Sequence, residues 1–237
     1  MPIFYTPHIS KNSNSYTLSV EESKHAIRVL RLKSGDKVHL VNGKGLQCEA
    51  SVAEANPKAT ILMIDSFQEQ AKRADYHLHM AVAPTKNTDR IEWFLEKSIE
   101  IGIDAFTPII CQNSERKKIK MERLERIAVA AMKQSKSPFL PVLYEAESFE
   151  NFILNCPMTS YKGIAHCIEG EPKKYINETL PPKKEALILI GPEGDFTREE
   201  IEWALAHDFQ PIHLGANRLR TETAALASCM EIALINR

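Results

Sequence analysis

The sequence has no excess of charge: 30 Lys and Arg are set against 31 Asp and Glu, for a formal net charge of −1. Nothing global therefore draws the chain to nucleic acid or to an anionic membrane, and any such site must come from local clustering. Paired cysteines are also missing. Cys48, Cys111, Cys156, Cys167 and Cys229 are odd in number, far apart and never in a C-x-x-C arrangement, which argues against a disulfide framework and a zinc site and for a reducing compartment. No apolar run approaches the ~18 residues of a membrane span. The opening MPIFYTPHIS lacks a basic stretch followed by an apolar one, so no secretory signal is expected. No G-x-G-x-x-G follows an early strand, which disfavours a Rossmann-type oxidoreductase. There is no internal repeat and no low-complexity tract. These absences lead to the expectation of a soluble, cytoplasmic chain of 237 residues, 43% of them hydrophobic, long enough for one large domain or a medium domain with a small one.

What is present falls into two rhythms. Up to about Phe67, short apolar runs alternate with turn signals: Ile3–Tyr5, Lys37–Val41, Leu46–Ala53 and Ala59–Ile64. Asn42-Gly43-Lys44-Gly45 reads as a hairpin turn, because asparagine and glycine accept positive φ. A small β-barrel over residues 1–70 is expected. One helix interrupts it, opened by the capping box Ser19-Val20-Glu21-Glu22 and running to about Leu32. On that helix Lys24, Arg28 and Arg31 share a face at i, i+4 and i+7. After the polar stretch Glu69–Asp75 the pattern becomes strand, helix, strand, helix. Strands are expected near 76–83, 105–110, 163–168, 186–190 and 211–214, and helices near 88–101, 121–135, 147–155, 198–207 and 222–235. Such alternation predicts an α/β domain over 75–237 with a mainly parallel sheet. The last helix is nearly apolar all round, so either a subunit interface or the chain's own core must cover it.

Two glycine loops join strand to helix. Ile190-Gly191-Pro192-Glu193-Gly194-Asp195-Phe196 follows the strand ending in Leu189. Leu214-Gly215-Ala216-Asn217-Arg218-Leu219-Arg220-Thr221-Glu222 comes one strand later. Both should emerge at the sheet edge where open α/β folds bind ligands. The first loop offers carboxylates and no Lys or Arg, the wrong charges for a phosphate cradle. Thr197 with Glu200 reads as a capping box, and Glu199 suits a helix N-terminus, so part of this acidity starts a helix. Glu193 and Asp195 are not explained that way. His77-x-His79 could present two imidazoles on one strand face, but with no third ligand apparent no metal site is expected.

The pair IGPEGDF and LGANRLRTETA resembles the two cofactor loops of the SPOUT methyltransferases, in particular the RsmE family, which methylates N3 of a uridine in small-subunit ribosomal RNA. HAIRVLRLKSGDKVHLVNGKG, residues 25–45, resembles that family's PUA-like barrel. Lys97-Ser98-Ile99-Glu100-Ile101-Gly102, Pro108 and Ser114-Glu115-Arg116 resemble the start of its catalytic domain. The resemblance covers nearly the whole chain. It implies a SPOUT-type sheet with a C-terminal trefoil knot, a homodimer, and S-adenosyl-L-methionine as cofactor. The cofactor would be held by Leu189, Ile190, Gly191, Pro192, Glu193, Gly194, Leu214, Gly215, Asn217, Arg218, Leu219 and Arg220. That cofactor carries a sulfonium and an ammonium and no phosphate, so nearby carboxylates are tolerable. Glu193 either touches the ligand or braces the loop.

The implied substrate is a specific uridine of 16S ribosomal RNA within the small subunit. Arg220 is the candidate for stabilising negative charge on the uracil oxygens, with Glu222 placing that arginine or accepting a proton; the competing role for Arg220 is a salt bridge to Glu222. Lys24, Arg28, Arg31, Lys86 and Arg90 are the candidate RNA contacts, while Arg116, Lys117, Lys118 and Lys120 form either a solvated face or a phosphate track. Two positions depart from the family's pattern. Lys136-Ser137 stands where relatives place an arginine. Asp195 stands where they commonly have glycine, which argues that it points away from the cofactor. The alternative is a catalytically silent RNA-binding assembly factor on the same fold.

Overall fold

A computed structural model of the chain describes residues 1–168 and 172–237. They form two compact units, Met1–Arg73 with Met132–Leu140, and Ala74–Ala131 with Pro141–Arg237. The first is built from β1 (Ile3–Tyr5), β2 (Ser15–Thr17), the short helix α1 (Val20–Lys24), β3 (Lys37–Val41), β4 (Leu46–Glu54) and β5 (Ile61–Glu69). The strands lie in the order β1-β3-β4-β5-β2, and the sheet curls around Phe4, Leu18, Ala26, Val38, Leu40, Leu46, Cys48, Ala50, Val52 and Leu62. The side-chain alternation of β4, with Leu46, Cys48, Ala50 and Val52 inward, is what a one-sided core requires.

The expected turn between β3 and β4 is present, with Gly43 and Gly45 at φ of 75° and 98°. The Asn42 Oδ1 accepts from the Lys44 N–H at 2.8 Å and the Leu46 N–H at 3.0 Å, which locks the turn. Periodicity assigns Met132–Leu140 to the C-terminal half, whereas the structure groups it with the first unit. There the Gly45 N–H donates to Pro138 O, the Leu140 N–H to Gly43 O, and Lys133 pairs with Glu22 at 2.9 Å. Those bonds are long-range, so no local pattern encodes them.

The expected helix through Leu32 is shorter. Ser19 caps α1 by accepting from the Glu22 N–H, but Glu22 turns its carboxylate to Lys133 instead of completing the box. The backbone then widens into a π turn over His25–Val29, and Arg31 has a φ of 56°. Lys24, Arg28 and Arg31 are all exposed, yet the widened turn and the left-handed Arg31 remove the common helical face that their spacing suggests.

The second unit continues with β6 (His77–Val82), α2 (Thr88–Ile101), β7 (Ala105–Ile110), α3 (Met121–Gln134), β8 (Val142–Leu143), β9 (Glu147–Ser148), α4 (Phe149–Asn155) and β10 (Tyr161–Ala165). It ends with β11 (Lys174–Tyr175), α5 (Ile176–Thr179), β12 (Glu185–Ile190), α6 (Arg198–Ala206), β13 (Gln210–His213) and α7 (Thr221–Ile235). Eight strands form one sheet in the order β11-β13-β10-β12-β6-β7-β8, with β9 also on β7, and every pairing is parallel. Helix α2 buries the expected stripe Ile91, Phe94, Leu95 and Ile99 and ends at Gly102, whose φ of 113° is the left-handed turn that glycine accepts without strain. Helix α7 packs on α2 and β6 through Ala225, Ser228, Cys229 and Ile232 and leaves Met230 and Leu234 exposed at 42% and 49%. All five cysteines are free thiols, and no helix of the described residues is long and apolar enough to cross a membrane.

Helix α6 begins as its sequence requires. The Thr197 Oγ1 accepts from the Glu200 N–H at 3.2 Å while the Glu200 Oε2 accepts from the Thr197 N–H at 2.9 Å, satisfying two otherwise orphan donors. Thr197→Ala is therefore expected to cost about 1 kcal/mol of stability, read as a lower urea midpoint at unchanged slope.

Candidate active site

Because β10, β12 and β13 are parallel neighbours, the loops after all three emerge at one edge. They enclose a cavity of about 730 Å³, within the usual range for a small-molecule site. Strand β12 delivers the first loop from the middle of the core, with Ala186–Ile190 all buried.

Of the residues expected at a ligand, Ile190, Gly191, Pro192, Glu193, Leu214, Gly215, Asn217, Arg218, Leu219 and Arg220 line this cavity. Leu189 and Gly194 do not. Leu189 is fully buried in the core cluster with Leu187, Phe149 and Phe196, because residues two apart on a strand share a face, here the one covered by α4 and α6. Gly194 turns its backbone to Asn113: a Cβ there would sit 3.0 Å from Asn113 Cβ. Gly191 owes its identity to packing, since a Cβ would meet the Phe196 ring at 3.0 Å. Gly215 has open space around it and a φ of 121°, so at that position glycine serves both the turn and the opening.

The two unexplained carboxylates have partners. The Glu193 Oε1 accepts from the Lys86 N–H at 2.9 Å. Asp195 is left-handed at a φ of 64°; its Oδ2 accepts from the Cys167 N–H at 2.7 Å and its Oδ1 from the Phe196 N–H at 2.8 Å. Asp195 lines the cavity, with each of its carboxylate oxygens held by one of these backbone N–H groups. Burial, and then the Asp195 charge, raise the Cys167 thiol, while Arg218 opposes the rise.

Arg220 is exposed at the cavity wall, and among the described residues its guanidinium makes no hydrogen bond or ion pair. Its expected partner is engaged elsewhere. The Glu222 Oε1 lies 3.7 Å from Arg90 Nη1, and the Glu222 Oε2 is buried without a hydrogen-bond partner. The salt bridge from Arg220 to Glu222 is therefore not formed, and Glu222 does not place that arginine. The cause is helical geometry: Glu222 enters α7 facing α2, whereas Arg220 precedes the helix. The ammonium of Lys86 is likewise occupied, by Glu115 at 2.8 Å, and that hydrogen bond and charge raise its pKa. Lys86 and Arg90 are thus both ion-paired, at an exposed and a partly exposed side chain respectively.

A third loop was not legible in the sequence. Ala165, His166, Cys167 and Lys173 also line the cavity, and Lys173 Nζ donates to the carbonyls of His166 and Ile168 at 2.7 Å each. Its strand, β10, lies about two residues earlier than the apolar run 163–168 suggests, which hides the loop inside the expected strand. The one available signal was Gly163, where a Cβ would press on Ile188 and Ile212.

An RNA methyltransferase domain matches residues 72–233 and an RNA methyltransferase PUA domain matches 18–62. The crystal structure of a probable rRNA-methyltransferase from Porphyromonas gingivalis is 38% identical, covers 100% of this chain and 98% of its own, and superposes with a TM-score of 0.92. A putative methyltransferase from Legionella pneumophila, solved with the bound cofactor SAM, is 28% identical over 99% of this chain and 97% of its own, with a TM-score of 0.87. The ribosomal RNA small subunit methyltransferase E of Buchnera aphidicola from Acyrthosiphon pisum is 29% identical, covering 90% of this chain and 85% of the relative. With both modules in order and a cavity built from both glycine loops, the chain belongs to the RNA methyltransferase family, in its small-subunit methyltransferase E branch.

Proposed function

We propose that the protein is an S-adenosyl-L-methionine-dependent methyltransferase that methylates N3 of a specific uridine in 16S ribosomal RNA of the small subunit, in the cytoplasm. The observation that carries this reading is the cavity itself, walled by both glycine loops with an arginine at its edge that has no partner among the described residues. The residues present fit the cofactor. About half of the lining residues are glycine or apolar, and the charged ones are of both signs, Glu193 and Asp195 beside Lys173, Arg218 and Arg220, which suits a ligand that carries a sulfonium, an ammonium and a carboxylate. Residues 190–193 and 214–219 would hold it, and when bound it supplies an electrophilic methyl group.

The chain's own residues act on the other reactant. Uracil N3 is nucleophilic only as the anion, so the site must favour loss of the imide proton and stabilise charge on the flanking oxygens. Arg220 presents a planar fork of donors suited to that charge. Lys24, Arg28 and Arg31, exposed in the first unit, are assigned to RNA phosphates. The exposed Met230 and Leu234 on α7 are the face on which a second copy would pack to form the homodimer, and the C-terminus carries the trefoil knot that the resemblance implies.

Calorimetry should show S-adenosyl-L-methionine binding and no NADH binding. Methyl transfer should be measured on whole small subunits and on naked 16S RNA, with the product mapped to uracil N3. No binding at millimolar cofactor would overturn the enzyme reading, and binding without transfer to either substrate would favour the silent assembly factor.

A further inference from the structure

The 191–195 loop makes little hydrogen bonding of its own. Within it, Asp195 N–H to Pro192 O at 2.9 Å is the backbone bond. Its position is set from outside, and the segment after β7 supplies two of the grips. The Asn113 Nδ2 donates to the carbonyls of both Gly194, at 3.2 Å, and Asp195, at 3.1 Å. Arg116 acts at one remove. Its Nε and Nη2 both donate to Lys86 O, at 3.1 and 2.8 Å, and the Lys86 N–H in turn holds the Glu193 carboxylate at 2.9 Å. A guanidinium thus holds the peptide unit after Lys86, one Cα away from the peptide N–H that holds the cavity-lining Glu193.

We infer that Asn113 and Arg116 are positioning residues for the cofactor wall, setting the 191–195 loop through Gly194, Asp195 and the Lys86–Glu193 bond. The inference rests on the cavity being the S-adenosyl-L-methionine site. It separates Arg116 from the basic run it belongs to in sequence: Lys117, Lys118 and Lys120 are exposed, whereas the Arg116 fork is spent on a carbonyl. The residue types are those the geometry needs. Two donors converging on one oxygen require the arginine fork, which the single ammonium of a lysine cannot reproduce. Two carbonyls facing one side chain require the amide nitrogen, and an aspartate of the same shape would oppose them with a third acceptor.

The test uses the full chain with Asn113→Asp, Arg116→Lys and Ser148→Ala. Ser148 caps α4 by accepting from the Asn151 N–H and neither lines the cavity nor makes a side-chain hydrogen bond to the 191–195 loop, so its loss lowers stability without removing a bond to the wall. Isothermal calorimetry with S-adenosyl-L-methionine and steady-state methyl transfer are compared with thermal unfolding and with 16S RNA affinity. Asn113→Asp is expected to raise the cofactor Kd and KM about tenfold, and Arg116→Lys about fivefold, with kcat and RNA affinity changing by no more than about twofold. Ser148→Ala should leave the cofactor Kd unchanged at a comparable loss of thermal stability. Cofactor affinity within about twofold of wild type in both loop variants would overturn the inference. So would an equal loss in Ser148→Ala, which would make the effect a general softening. Arg116→Lys that weakens RNA binding alone would also overturn it, in favour of a phosphate contact. A wild-type chain that binds no S-adenosyl-L-methionine overturns the functional reading itself, and this inference with it.

Discussion

Arg220→Ala is expected to slow methyl transfer about 10²–10³-fold while shifting cofactor affinity by no more than a few fold. The backbone of Arg220 is fixed independently of its side chain: its φ and ψ of −73° and 157° suit alanine, and its carbonyl accepts from the Ala224 N–H at 2.8 Å to start α7. The fold should therefore tolerate the change. The guanidinium is at the cavity wall with no hydrogen-bond or ion-pair partner among the described residues, so removing it orphans no described buried group. On the proposed function, what is lost is a cation that would meet the charge developing on uracil, and an interaction made mainly with the developing anion acts on kcat more than on KM. Arg220→Lys should recover part of the rate, because charge returns without the bidentate geometry. Full activity of Arg220→Ala on small subunits would remove the residue from the mechanism.

The legible and the hidden parts of this site differ in range. Helix starts are local, so Thr197–Glu200 and the α2 stripe ending at Gly102 could be read directly. The two glycine loops could be read because each follows a strongly apolar strand, and the parallel sheet then obliges them to share an edge. What failed was long-range. Whether Glu222 meets Arg220 or Arg90 depends on α2, more than 130 positions earlier in the chain. Asp195 has its partner, the Cys167 N–H, on a loop the sequence did not reveal. The same limit applies to α1, whose helical spacing promised one basic face until a π turn broke it. The short strands β2, β8, β9 and β11 carry too few residues to show a period at all.

Acidification should destabilise the protein through His79, by roughly 3 kcal/mol on going from above pH 6.5 to below pH 4. His79 on β6 is 2% exposed; its Nε2 lies 2.8 Å from Thr107 Oγ1, and its ring stacks on Tyr144 and meets Phe152 edge-on. Burial first, and then the nearby His77, push its pKa from 6.5 down to about 4. The folded protein therefore keeps this ring neutral while the unfolded chain takes up a proton below pH 6.5. The unfolded state gains protons first, so stability is full above 6.5, falls as pH drops, and stops falling on this account near pH 4. Other groups titrate in the same window, so the measurement is a difference. His79→Gln keeps a hydrogen-bonding side chain toward Thr107 and removes the titration. Its urea-derived stability, subtracted from that of the wild type, should shift by roughly 3 kcal/mol in favour of the variant between pH 7 and pH 4. A pH-independent difference would mean that the imidazole reaches a proton in the folded state after all, and that its packing against Tyr144 and Phe152 opens at little cost.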